Sequence, residues 1–229
     1  MITAEARQAW SFGALSAAPL AARTSDAPGG ISWPLGKGAR MPQLYVPRTR
    51  AARPLPLVVL LHGAGGGAGD ILPVLRDEAE GRGFLVLVPQ SAGVTWDLIA
   101  ARLGPDVAVI DQALLAVFEH YPVDPARIAI AGFSDGASYA LTLGLANGQL
   151  FRTILAFSPG FVADGLRRGR PEIYMSHGRQ DNVLPIDRCS RRIVERLRAA
   201  AYEVDYEEFA GGHVVPAERV AAGLELLLR

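Results

Sequence analysis

Between Pro56 and Leu228 the spacing of hydrophobic positions switches repeatedly between two forms. Short runs are apolar at nearly every position: Pro56–Leu61 (PLVVLL), Phe84–Val88 (FLVLV), Arg127–Ala131 (RIAIA), Thr153–Phe157 (TILAF) and Glu172–Met175 (EIYM). Between and after them lie longer stretches with apolar residues three and four apart: Asp70–Glu80, Pro105–His120, Ser134–Ala146, the arginine-rich Asp187–Ala200 and Val215–Leu228. The first form predicts strands covered on both faces, and the second predicts helices. Pro73 belongs in the first turn of its helix, where a missing N–H is tolerated. Glu203–Phe209 (EVDYEEF) alternates apolar and acidic residues, as a half-exposed edge strand does.

Strands of this kind alternating with helices predict an α/β fold: a mostly parallel sheet with helices on both faces. Residues 1–55 break the rhythm. They are rich in Pro, Gly and Arg and predict one or two edge strands joined by turns, among them Gln43–Val46 (QLYV). Trp10–Ala22 is apolar and rich in small residues, but Glu5 offsets Arg7 ahead of it, so a positively charged leader is missing. The stretch reads as a strand or arm packed on the domain. With no break in composition, one domain is expected over residues 1–229. Residues 1–50 form its extension and residues 56–229 its catalytic core.

Composition narrows the function classes. Lys+Arg and Asp+Glu are 23 each, so the chain lacks the basic excess of a nucleic-acid binder. Half the residues are hydrophobic, which excludes disorder. No apolar run is long enough to span a membrane. The one cysteine, Cys189, rules out an internal disulfide and falls inside a predicted helix, where it reads as structural. A cytoplasmic location follows as the expectation, and a homodimer stays open.

The chemistry gathers at the carboxyl ends of the predicted strands, where open α/β sheets bind ligands. Gly132-Phe-Ser134-Asp-Gly136 is a G-x-S-x-G motif with a strand before it and a helix after it, the setting of a nucleophile elbow. A serine hydroxyl needs a base, and His213 in the glycine loop Gly211-Gly-His213 is the candidate. The base needs an acid to fix its tautomer, and Asp181 follows EIYM in His177-Gly-Arg-Gln-Asp181. Asp187 reads instead as a helix cap, and Asp164 lies on the wrong side of its strand. His62 and His177 read as loop-shaping residues, and His120 as a helix C-terminal cation.

Gly63-Ala-Gly65-Gly-Gly-Ala68 also fits the dinucleotide pattern G-x-G-x-x-[GA]. Gln90 stands where that reading needs an acid, so it fails. As an oxyanion-hole loop the same segment supplies a backbone N–H from Ala64, with Gly65 as second choice, to join that of Asp135.

LHGAGG, GFSDGAS, HGRQDNVLP and GGHVVP, spread over residues 56–229, resemble the phospholipase/carboxylesterase branch of the α/β-hydrolase superfamily. They are similar as well to polyhydroxyalkanoate depolymerase-like esterases. The resemblance implies an α/β-hydrolase fold and a serine esterase with Ser134, Asp181 and His213 as its triad, needing neither metal nor organic cofactor. Many members carry Gln after the serine. Asp135 puts a carboxylate there, expected to weaken the oxyanion hole or to select against acidic substrates. The expected substrate is a small-molecule carboxylic ester with a short to medium acyl chain. Thioesters, lactones and polyester oligomers are the alternatives, and a non-catalytic binding module is a more distant one. Trp96, Phe133, Phe161 and Leu184 are the large apolar residues expected to line the pocket. Residues 159–171 are too few for a cap domain, so an open site is expected.

Overall fold

Leu55–Leu61 (β3), Leu85–Val88 (β4) and Thr153–Phe157 (β6) are buried at every position, as continuous apolar runs require. The computed structural model describes residues 3–19, 31–34, 41–48, 54–99 and 103–229. With Ile31–Pro34 (β1), Gln43–Val46 (β2), Val123–Phe133 (β5), Glu172–Gly178 (β7) and Val204–Phe209 (β8), these strands form one sheet in the order β1-β2-β4-β3-β5-β6-β7-β8. The pairs β1–β2 and β2–β4 are antiparallel and the others parallel. That is the mostly parallel sheet the pattern predicts.

Alternate strand residues feed two cores. Leu57, Val59, Leu61, Ile128, Ile130 and Ile154 face one side, against Pro105–His120 (α4), Asp135–Ala146 (α5) and Ser190–Ala199 (α6). Val58, Leu60, Ala129, Ala131 and Leu155 face the other, against Ala68–Ile71 (α2), Pro73–Arg82 (α3) and Ala217–Leu228 (α7). Helices thus cover both faces. Every residue of α5 is buried.

Residues 158–171 join β6 to β7 without a helix, so no cap domain rises there. Among the described residues no helix is long and apolar enough to cross a membrane.

The arm expected over Trp10–Ala22 packs on the domain in its described part, and ahead of it Ala4–Ser11 forms a helix (α1), capped by Thr3 and running into Gly13–Ala17 against α4 and α5. Its burial depends on partners distant in sequence: Asp111 of α4 accepts from Trp10 Nε1 (2.8 Å), Ser16 N (2.9 Å), Ser16 Oγ (2.7 Å) and Ala17 N (2.8 Å). The 70–80 segment divides at Leu72, and Pro73 takes the first position of α3. The arginine-rich helix begins at Ser190, with Cys189 at its N-cap, while Asp187 pairs with Arg191 on the surface instead of capping. Parts of the expected extension, residues 20–30, 35–40 and 49–53, lie outside the described residues.

Candidate active site

β5 and α5 meet at Ser134, whose backbone takes φ 58° and ψ −119°. Positive φ strains any residue with a Cβ, and here it lifts the hydroxyl out of the turn. Two glycines permit the approach. A Cβ on Gly132 would lie 2.2 Å from the Gly136 carbonyl oxygen, and one on Gly136 would lie 2.4 Å from that of Leu61. Ser134 N–H donates to Phe157 O (2.9 Å), tying the elbow to β6.

The loops after β7 and β8 are tied together. Arg179 N–H donates to Phe209 O and Gln180 N–H to Gly211 O, both at 2.9 Å. Gly178 must be glycine, because a Cβ would sit 2.3 Å from the Gly212 oxygen. This brings Asp181 to His213. His213 Nδ1 lies 2.6 Å from Asp181 Oδ2, and His213 Nε2 lies 2.9 Å from Ser134 Oγ. The Asp181 Oδ1 accepts from Val183 N–H (2.9 Å) and Leu184 N–H (2.8 Å). Burial pushes the Asp181 carboxyl up, but the N–H of Leu184, the His213 imidazole and the N–H of Val183 outweigh it. The group sits below its ordinary value and is an anion at neutral pH. The three residues predicted from the sequence are therefore in one hydrogen-bonded line. The alternative acid Asp164 is exposed and pairs with Arg196.

The glycine loop after β3 lies against the elbow: a Cβ on Gly63 would be 3.4 Å from Ser134 Cβ. Ala64 is exposed, and Asp135 is the first residue of α5, where no intrahelical partner exists for its N–H. Ala64 and Asp135 thus belong to the two segments that flank Ser134. Gly65 is not a free donor, because its N–H already donates to Val94 O (2.8 Å); the second choice for the oxyanion hole is corrected. His62 accepts from Ser91 N–H at Nε2 (3.1 Å), which leaves Nδ1 to donate to Gly63 O (2.8 Å) and pin the loop.

Trp96 is also corrected. It is 0% exposed and therefore lines no open pocket. Its indole N–H donates to His62 O (2.8 Å), its backbone N–H donates to Asp135 Oδ2 (3.0 Å), and its ring lies between those of His62 and Tyr139. Trp96 supports the glycine loop from below. Asp135 is 7% exposed and its carboxylate bends toward Trp96. Desolvation holds its carboxyl above the ordinary range, toward the neutral form, against the hydrogen bond from Trp96. That hydrogen bond turns its Oδ2 toward the 91–97 loop.

Phe133 is half-buried with its ring 4.7 Å from that of His213. Phe161 is 37% exposed, and Leu184 is half-buried with a methyl 3.3 Å from where a Cβ on Gly160 would stand. Val94, Val183 and Val214 are exposed in loops at the carboxyl ends of the strands. Sequence reasoning passed over Ser138, whose hydroxyl accepts from Gly160 N–H (3.0 Å) and holds the 158–171 connection on α5. Nothing in its local pattern separates it from any helical serine.

Residues 108–225 match the family model described as phospholipase/carboxylesterase. An acetylxylan esterase of Coprinopsis cinerea is 31% identical over 120 residues, which are 48% of this chain and 32% of that protein. The chain thus spans about a third of the length of the curated relative it matches. Esterase PE8 superposes with a TM-score of 0.61 at 22% identity, covering 81% of this chain and 99% of that one. The Staphylococcus aureus fluorophosphonate-binding serine hydrolase F superposes with a TM-score of 0.68 at 15% identity, covering 87% and 98%. These superpositions establish the shared fold. The family match spans more than half of the chain, from within α4 to the last turns of α7, and the chain belongs to the phospholipase/carboxylesterase family of α/β-hydrolases.

Proposed function

We propose that this protein is a carboxylic ester hydrolase that works through an acyl-enzyme on Ser134. The observation that carries the reading is the unbroken hydrogen-bonded line from Ser134 through His213 to Asp181 at a strained elbow. Ser134 Oγ attacks the ester carbonyl carbon while its proton passes to His213 Nε2. The oxyanion is held by the N–H groups of Ala64 and Asp135, each worth about 3 kcal/mol in the transition state. The carbon–oxygen bond to the alcohol then breaks, and His213 returns the proton to the departing oxygen. Water attacks the acyl-serine with His213 as base, and collapse restores Ser134 Oγ–H and releases the acid. Asp181 keeps the His213 Nδ1–H facing it, so that Nε2 is the lone pair.

Phe133, Phe161 and Leu184 suit an apolar acyl group of short to medium length, and without a cap the alcohol side is open. Likeness to the acetylxylan esterase favours the acetyl end of that range. The test is a p-nitrophenyl ester series from acetate to dodecanoate, with acetylated xylan as a polymeric arm. Turnover is expected to peak among the short acyl chains and to fall at least about 1000-fold in Ser134→Ala. Wild-type rates no better than those of Ser134→Ala refute the nucleophile.

A further inference from the structure

On the far side of Asp181 from His213 lies a second imidazole that the mechanism above leaves unused. His177, near the end of β7, is 0% exposed. Its Nε2 is 2.8 Å from Leu184 O and 3.1 Å from Asp181 Oδ2, and its Nδ1 is 2.6 Å from Ser190 Oγ. These partners fix the proton. A carbonyl oxygen only accepts, so Nε2 carries the hydrogen and donates it to Leu184 O, with Asp181 Oδ2 3.1 Å from the same nitrogen. Nδ1 is then a lone pair, and the hydroxyl of Ser190, itself fully buried, donates to it. Desolvation lowers the proton affinity of the His177 ring and keeps it neutral, against the pull of Leu184 O and Asp181. The Asp181 Oδ2 therefore stands between two imidazoles, each backed by a serine hydroxyl: Ser134–His213–Asp181–His177–Ser190.

We propose that His177 is a positioning residue for the acyl-transfer site: held as the neutral Nε2–H imidazole by Ser190 and Leu184 O, it sets its N–H dipole against Asp181 Oδ2 on the side away from His213. The inference rests on the triad reading above. That dipole stabilises the Asp181 anion on the side away from His213. The carboxylate also cannot rotate away from His213. The other titratable groups around this chain are few. Glu208 of β8 sits beside His177 in the sheet and is paired with Arg191, with Arg179 nearby. Cys189, ahead of α6, has its thiol pushed up by burial and by Asp181, with Arg188 and Arg192 acting the other way.

The experiment compares His177→Gln, which keeps a side-chain N–H donor, with His177→Met, which has a similar length and no donor. The readout is the pH profile of kcat/KM on p-nitrophenyl acetate. His177→Met is expected to move the acid limb up by about half a pH unit and to lower kcat about tenfold, while His177→Gln keeps the wild-type limb within about 0.2 unit. A purely structural role lowers rates in both variants and moves neither limb, and that result overturns the proposal. Ser134→Ala in parallel separates the two readings, because an active Ser134→Ala protein refutes the triad, whereas an inactive one with unmoved limbs refutes only the role of His177. Imidazole ¹⁵N–¹H spectra of the wild-type protein test the same point without a variant. His177 is expected as the Nε2–H tautomer at neutral pH. An Nδ1–H tautomer overturns the proposal.

Discussion

Asp135 performs two tasks at one position. Its N–H stands beside Ser134, and its carboxylate accepts from Trp96 N–H, which ties the 91–97 loop to the elbow. One carboxylate oxygen, Oδ1, is buried without a partner. Such a charge is costly unless the group protonates, and burial accordingly raises its affinity for a proton. The sign of the linkage follows. Between the unfolded and the folded value the native state holds the proton and the unfolded chain does not, so stability falls as pH rises through that interval. Asp135→Asn removes this titration. The variant is expected to gain in melting temperature relative to wild type as pH rises from about 4 to about 8, by an amount that thermal unfolding across that range measures. A constant difference across the range refutes the assignment.

The elbow is the element on which the site depends, and its chemistry was readable because the constraint is local. A strand, a serine between two glycines and a helix can pack this tightly only if Gly132 and Gly136 lack side chains. Gly136→Ala would drive a Cβ into the Leu61 carbonyl, a backbone atom of β3 that cannot turn aside. It is expected to reduce soluble yield, and in any folded fraction to cut esterase activity more than about a hundredfold. The strands β3, β4 and β6 were legible for a related reason: covered on both faces, they are apolar throughout. α1 was not legible. AEARQAWS is half polar and too short to hold as an isolated helix, and it is secured by bonds to a residue about a hundred positions later. The break at Leu72 between α2 and α3 was hidden because Pro73 is acceptable in any first turn.

At the scale of the whole molecule the N-terminal segment closes the outer side of α4 and α5. Asp111, fully buried, collects bonds from Trp10, Ser16 and Ala17, and Asn147 exchanges bonds with Gly13 O and Leu15 N–H. This explains why α5 is buried all round although it follows the elbow directly. Asp111→Ala leaves several buried donors unmatched and is expected to cost about 2–4 kcal/mol, read as a lower urea midpoint. Because the latch lies outside the Ser134 line, kcat on p-nitrophenyl acetate is expected to stay within about threefold of wild type for the folded protein.

By itself the sequence determined the alternation of strand and helix, the elbow, and the order Ser134, Asp181, His213. Each is written in short-range terms: periodicity, glycine spacing and the position of a motif after a strand. The tertiary structure decided what each group has left to offer once its neighbours arrive. Gly65 loses its N–H to Val94 O, Trp96 leaves the pocket for the underside of the glycine loop, and the Asp135 carboxylate bends toward Trp96. It also brings His177 to Asp181. Although the two are four residues apart, their meeting depends on a turn clasped by the β8 loop and on Ser190 arriving from α6. Hydrogen-bonding capacity is finite and is allotted by distant partners, and no reading of local pattern contains that allotment.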